Sequence, residues 1–223
     1  ARRQRGERRV LALAPLVRQS VKLLRATLPS SIFLDALELD ADPEEATPPV
    51  EADAVQLEQV LFNLCINASD ATAGSGHIRV GLRAMVGGWR CSSCGARVDD
   101  GHWVELSVAD DGSGIAPDVV ERMFEPFFST KEVGRGSGMG LAMVHGIVHD
   151  HHGHVCVDTT PGRGTTFRVL LPAAQEEASA PVASEPAAGG APGALRGRVL
   201  LVEDEPMVGD FMAEMLGGWG LDV

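Results

Sequence analysis

The chain has 223 residues, 44% of them hydrophobic and 22% charged, enough apolar material for one or two cored domains and not the composition of a disordered or fibrous chain. Its net charge is −12, and five Arg with one Glu sit in the first ten residues, so the remaining body is more acidic still. That balance argues against general nucleic-acid binding, and a nucleotide would need a metal ion or a Gly-rich cradle to be held.

Read in chain order, Leu13, Val17, Val21, Leu24 and Leu28 recur at helical spacing and predict a helix over 11–28. Alternation over 32–39 predicts a strand. A second helix is expected from an Asp53 N-cap to about Ala73. Alternation returns at 77–85 and 103–108, two strands joined by a loop that holds Cys91-Ser-Ser-Cys94-Gly. A short helix near 119–123, a helix over 141–149 and strands at 155–157 and 166–170 complete the set. About five strands with three or four helices predict one α/β (α+β) domain over 11–172, a two-layer sandwich. Residues 173–195 are rich in Ala, Pro and Gly and read as a flexible linker before a short piece at 196–223.

No apolar run nears the ~20 residues that span a bilayer, and no signal peptide is recognisable. Four Cys without a disulfide framework suit a reducing, cytoplasmic setting. Without an initiator Met, the chain is expected to be part of something longer.

Chemistry concentrates in a few segments. On the second helix, Asn63, Asn67 and Asp70 form a polar stripe beside an apolar face. Such a stripe serves either as core hydrogen bonding or as an oxygen-rich site for Mg²⁺. Asp110-Asp111-Gly112-Ser113-Gly114-Ile115 follows an apolar strand; its glycines permit a sharp turn and close approach to a ligand, although Asp-Gly pairs also occur in plain turns. Gly136, Gly138 and Gly140 precede a helix, where free amides bind phosphate. The segment before them, FEPFFSTKEV, is not a strand, which argues against a dinucleotide fold.

In order and spacing, NLCINASDA (63–71), DDGSGI, FEPFFSTK (124–131), GSGMGLA (136–142) and PGRGTTF (161–167) resemble the ATP-binding catalytic domain of sensor histidine kinases, in the GHKL superfamily with Hsp90, MutL and gyrase B. The resemblance implies a Bergerat-type fold, a mixed sheet backed by helices with ATP between them. It implies that Asn67 ligates Mg²⁺ with Asn63 as partner, and that Asp110 reads adenine in a pocket lined by Gly112, Gly114 and Ile115. Phe124 to Lys131 would open a mobile lid, with Lys131 near the phosphates. Ser137, Gly138, Met139, Gly140 and Leu141 would contact phosphate, and Thr165 or Thr166 would lie by the base. Ser69 and Asp70 stand where many such kinases carry Lys or Arg, which leaves phosphate neutralisation to Mg²⁺ and the lid.

The same resemblance implies a protein histidine kinase whose phosphoacceptor His lies on a dimerisation helix outside this chain. Residues 1–10 would be the end of that helix or a linker. RVLLVEDEPMVGDF resembles the start of a response-regulator receiver, with Glu203 and Asp204 as its acidic pair, so the layout is that of a hybrid kinase. Its partner is a receiver in cis or a separate response regulator. The alternatives are a nucleotide-binding regulatory module and a GHKL ATPase; the latter activates water with a Glu where this chain has Asn63. None of the seven His stands in an acceptor setting, so the chain alone is expected not to phosphorylate itself. Cys91 and Cys94 make half a zinc knuckle and are expected as two free thiols at a hairpin tip, with His102 or a second chain as possible further ligands. The five His of VHGIVHDHHGH (144–154) are expected to be solvated.

Overall fold

The computed structural model describes residues 8–37, 47–98, 100–130, 138–174 and 197–199. The chain divides into two units, Ala1–Gln175 and Glu176–Val223. Of the second only 197–199 are described, so Glu203 and Asp204 lie outside the described residues.

In the first unit, five strands form one mixed sheet in the order β2 (Ile32–Leu37), β4 (Gly76–Val86), β5 (His102–Asp110), β7 (Gly164–Pro172), β6 (His154–Thr160). Only β2 with β4 is parallel; the other pairs are antiparallel. Helices α1 (Leu13–Thr27), α2 (Ala54–Ala71) and α4 (Gly140–Asp150) cover one face, and α3 (Pro117–Val120) is a single turn. Strand parity decides which residues meet the helices. Val104, Leu106 and Val108 of β5 and Phe167, Val169 and Leu171 of β7 join Leu57, Leu61, Leu64 and Val144 in one core. This is the mixed α/β architecture expected, with β4, β5, β6 and β7 longer than their alternation patterns.

Several details differ from the expectation. Arg9 and Val10, expected in a helix end or linker, are strand: β1 (Arg9–Leu11) pairs antiparallel with β3 (Val50–Ala52). Three residues are too few for an alternation pattern to show. Ala173 and Ala174, expected in the linker, are hydrogen-bonded to the fold: the Ala173 amide donates to His102 O at 3.0 Å and the Ala174 amide to Pro49 O at 2.8 Å.

The β4–β5 connection is not an open hairpin tip. It folds over the outer face of the sheet, where Val98 and Trp103 pack with Cys156 and Leu170, and Trp89 closes the cluster. Glu105, on the same face, is 3% exposed and takes a two-pronged bond from Arg83 at 3.0 and 3.1 Å.

The His-rich segment is not uniformly solvated either. His151 is 2% exposed. Its Nε2 accepts the Asp53 amide at 3.0 Å, which requires the proton on Nδ1, and Nδ1 lies 2.8 Å from Ile147 O. One ring thus ties the end of α4 to the N-cap of α2, whose Asp53 Oδ1 accepts from the amides of Val55 and Gln56 at 2.9 and 3.3 Å. Replacing it leaves a buried amide without a partner. His151→Ala should cost about 1–3 kcal/mol in denaturant unfolding, and a loss within error of zero would contradict this role.

Candidate functional site

α2 packs Leu57, Val60, Leu61, Leu64, Cys65 and Ala68 against the sheet and α1. The same rotation turns Asn63, Asn67, Asp70 and Ile66 into a cleft of about 630 Å³. Burial pushes the Cys65 thiol up to about 12, so it stays protonated and offers no nucleophile here.

Across the cleft, β5 ends at Asp110, which shares the parity of Val108 and faces the helices; Asp111 points away. Asp110 is 8% exposed, and its Oδ1 accepts the Gly112 amide at 2.9 Å and the Thr165 amide at 3.3 Å. Burial raises its pKa, against the lowering effect of those two amides. Asp111 is held below the usual carboxylate range, chiefly by the His77 amide, which donates to it at 2.9 Å. The two neighbouring acids therefore do different work: Asp110 lines the cleft and Asp111 clamps the start of β4.

The glycine turn after Asp110 is wedged between two elements. A Cβ at Gly112 would fall 2.6 Å from the backbone of Ala71, at the end of α2. Gly114 has φ +67 and sits against the Thr160 carbonyl. The Ile115 amide donates to Thr159 Oγ1 at 2.9 Å, and Thr159 Oγ1 meets Thr165 Oγ1 at 3.0 Å. The other rim is the first turn of α4. Gly140 begins it so close to α2 that a Cβ there would lie 3.3 Å from Asn63 Oδ1 and 3.9 Å from Asn67 Nδ2. Gly138, at φ +65, accepts the Phe127 amide at 3.1 Å, which fastens the chain on either side of 128–137.

The cleft gathers Asn63, Asn67, Asp70, Asp110, Gly114, Ile115, Gly138, Gly140, Leu141 and Thr165 of the expected residues. Gly112, Phe124, Met139 and Thr166 do not line it. Gly112 backs onto α2, Phe124 packs 6.1 Å from the His145 ring, and Met139 is the N-cap of α4. Thr166 occupies the outer face of β7, and the alternation Thr165, Phe167, Val169, Leu171 was the signal that separates it from Thr165. Lys131 and Ser137 lie outside the described residues. Ile66, Ala116, Val119, Met123 and Phe167 also line the cleft and give it an apolar wall that the motifs did not mark.

Residues 52–175 match the family model described as "Histidine kinase-, DNA gyrase B-, and HSP90-like ATPase". The chain belongs to this family. Among its relatives, the sensor kinase CckA of Brucella abortus is 41% identical over 177 residues, covering 77% of this chain and 19% of CckA. The histidine kinase/phosphatase NtrB of Rhodobacter capsulatus is 41% identical over 146 residues, 62% of this chain and 37% of NtrB. The chain thus spans well under half of these relatives. The mycobacterial sensor histidine kinase MprB superimposes with a TM-score of 0.55 at 25% identity, over 74% of this chain and 97% of that one. Full-length ShkA, solved in complex with AMPPNP, gives 0.58 at 26% identity over 97% and 40%. As a histidine-kinase-type ATPase domain, the first unit carries the ATP-binding catalytic fold of sensor histidine kinases.

The glycine wedge of this domain makes a steric prediction. Gly114→Ala places a side chain at positive φ against a carbonyl and should destabilise by ~1–3 kcal/mol while displacing Ile115 from the cleft. Thermal unfolding of the variant checks the first effect and a structure the second; a variant as stable as its parent would contradict it.

Proposed function

We propose that the cleft binds Mg·ATP and that this chain is the catalytic part of a hybrid sensor histidine kinase. The reaction is transfer of the ATP γ-phosphoryl group to a His imidazole on a dimerisation helix outside this chain. The observation that carries the reading is the cleft's division of labour. At one end stands a buried carboxylate held by two amides on Oδ1, and at the other two Asn side chains face the first turn of a helix.

Oδ2 of Asp110 would accept the exocyclic amine of adenine, with Ile115, Met123 and Phe167 against the base. The amides of Gly140 and Leu141 would face the phosphates. The carboxamide oxygens of Asn67 and Asn63, with Asp70 nearby, suit a hard cation, and Mg²⁺ held there would offset the triphosphate charge of a nucleotide in an acidic protein. Lys131 and Ser137 join the phosphate contacts on the strength of the resemblance. Phosphoryl transfer asks the protein mainly for positioning and charge stabilisation, which an array of amides and carboxamides supplies. Asn63 has no group that takes a proton from water, which favours transfer over hydrolysis. The segment from Arg196, with Glu203 and Asp204, opens a receiver, and a receiver in cis or a separate response regulator takes the phosphoryl group onward.

Asn67→Ala should weaken Mg·ATP binding ~10–100-fold, and Asp110→Asn should weaken adenine recognition ~10-fold or more, with both variants folded. Calorimetry showing unchanged affinity in both would reject the site.

Acidification supplies a second check. Asp110 has a raised pKa, so its carboxylate is protonated at a higher pH than an ordinary Asp. As pH falls, the affinity of the parent protein should approach that of Asp110→Asn, starting above the ordinary Asp range. A constant ratio between the two proteins across that window would show that Asp110 does not read the base.

Incubated alone with ATP radiolabelled on its γ-phosphate, the chain should take up no label. His145 and His149 lie on α4 behind the phosphate end, and in-line transfer tolerates little misplacement. A dimerisation helix bearing its His, added in trans, should be labelled. Prompt acid-labile label on the chain itself, abolished by mutating one of its own His, would relocate the acceptor.

A further inference from the structure

The edge of the sheet at β6 carries a cluster of metal-ligating groups, remote in role from the nucleotide cleft. Cys91 and Cys94 sit in a tight turn: the Cys91 amide donates to Ala96 O at 2.8 Å and the Gly95 amide to Cys91 O at 2.9 Å. Gly95 has φ +73, a conformation that favours glycine at that place. The turn is docked rather than loose. Its Ser92 amide donates to Val155 O at 2.8 Å, and Ser92 Oγ accepts the Val157 amide at 2.9 Å, which lays it along the edge of β6.

Two histidines reach this turn. His154, the first residue of β6, places Nδ1 3.9 Å from Cys94 Sγ. The ligand atoms of Cys91, Cys94 and His154 all lie within 4.8 Å of one another. His149, in the last turn of α4, has Nε2 3.9 Å from Cys91 Sγ and 2.9 Å from Ser93 Oγ, and its ring centroid is 5.7 Å from that of His154.

The geometry points to a structural zinc site formed by Cys91, Cys94, His149 and His154. Tetrahedral zinc with ~2.0–2.3 Å bonds sets neighbouring ligand atoms ~3.4–3.8 Å apart, so Cys91, Cys94 and His154 need close by only about 1 Å, and His149 Nε2, already 3.9 Å from Cys91 Sγ, would swing in as the fourth ligand. The sequence spacing, Cys-x2-Cys followed by His-x4-His, falls within the range of closed Cys2His2 sites. Two thiolates with two imidazoles select zinc over magnesium or calcium. Four protein ligands leave no open position, so the metal would staple the β4–β5 connection to the α4–β6 corner rather than perform chemistry. His149 would exchange its contact with Ser93 Oγ for the metal. Cys156 stands apart: its thiol donates to Arg90 O at 3.3 Å. His102, on β5, is not part of the cluster.

The test is metal content of the whole chain, purified reduced from zinc-supplemented growth and dialysed. About one zinc per chain is expected, and Co²⁺ replacing it should give the absorption of a tetrahedral site with thiolate charge transfer. Cys94→Ser, at an exposed position, His154→Ala and His149→Ala should each lose the zinc, whereas His102→Ala should keep it. Zinc-free parent protein without a cobalt–thiolate band would overturn the site, as would zinc retained in both Cys94→Ser and His154→Ala. Retention in His149→Ala at unchanged affinity, loss in His102→Ala, or a Cys91–Cys94 disulfide in freshly isolated reduced protein would equally reject this ligand set.

Discussion

The rotation of α2 about its own axis is the constraint on which the cleft depends. Each residue turns the helix by about 100°, so a slip of one position would put Asn63 and Asn67 in the buried places of Leu64 and Ala68 and turn Phe62 and Ile66 to the positions they leave. Burial of Leu57, Leu61 and Leu64 sets that angle from below, and both ends of the helix are pinned. At the start, Asp53 caps the first turn while its own amide is held by His151. At the finish, the Ser113 amide donates to Ala71 O at 3.1 Å, with the Gly112 backbone pressed on the same residue. The pins come from α4 and from the turn after β5, the very elements that form the rest of the cleft. Helix, turn and cleft therefore stand or fall together.

The helices and all five strands of the main sheet were legible because each has one face in a single core, and burial writes itself into spacing. Sites were legible where a residue type is demanded by geometry, as with the glycines at Gly114 and Gly138. What stayed hidden depends on contacts distant in sequence. β1 and β3 are three residues each and owe their existence to one another, 40 positions apart along the chain. His151 looked like its neighbours in a polar His-rich run; only the fold buries it, beneath the start of α2. The choice between Thr165 and Thr166 was available from strand parity but was blurred by Leu170 and Leu171, two adjacent leucines facing opposite sides. The Cys-x2-Cys motif stood alone in the sequence because the histidines that the fold brings beside it, His149 and His154, follow more than 50 residues later.

Charge follows the same logic. A chain with net charge −12 keeps the acids of its cleft to few and separates the tasks of Asp110 and Asp111. Asp110 is buried and fixed by amides, and Asp111, next in sequence, is spent on β4. Neutral carboxamides occupy α2 where a row of acids would repel phosphate. On the proposed reading, local dipoles would receive phosphate inside a repulsive whole.

The layer over the outer face has a consequence for how such domains diverge. Val98 and Trp89 shield Trp103 and Leu170 from water on the side away from the cleft, so the length of the β4–β5 connection can change without disturbing the cleft. It cannot change alone. A homologue with a short connection must carry polar or charged residues where this chain has Trp103 and Leu170, or expose an adhesive apolar patch. Insertion length and outer-face polarity should therefore covary across the family, a record of covering that can be read from alignments without any structure.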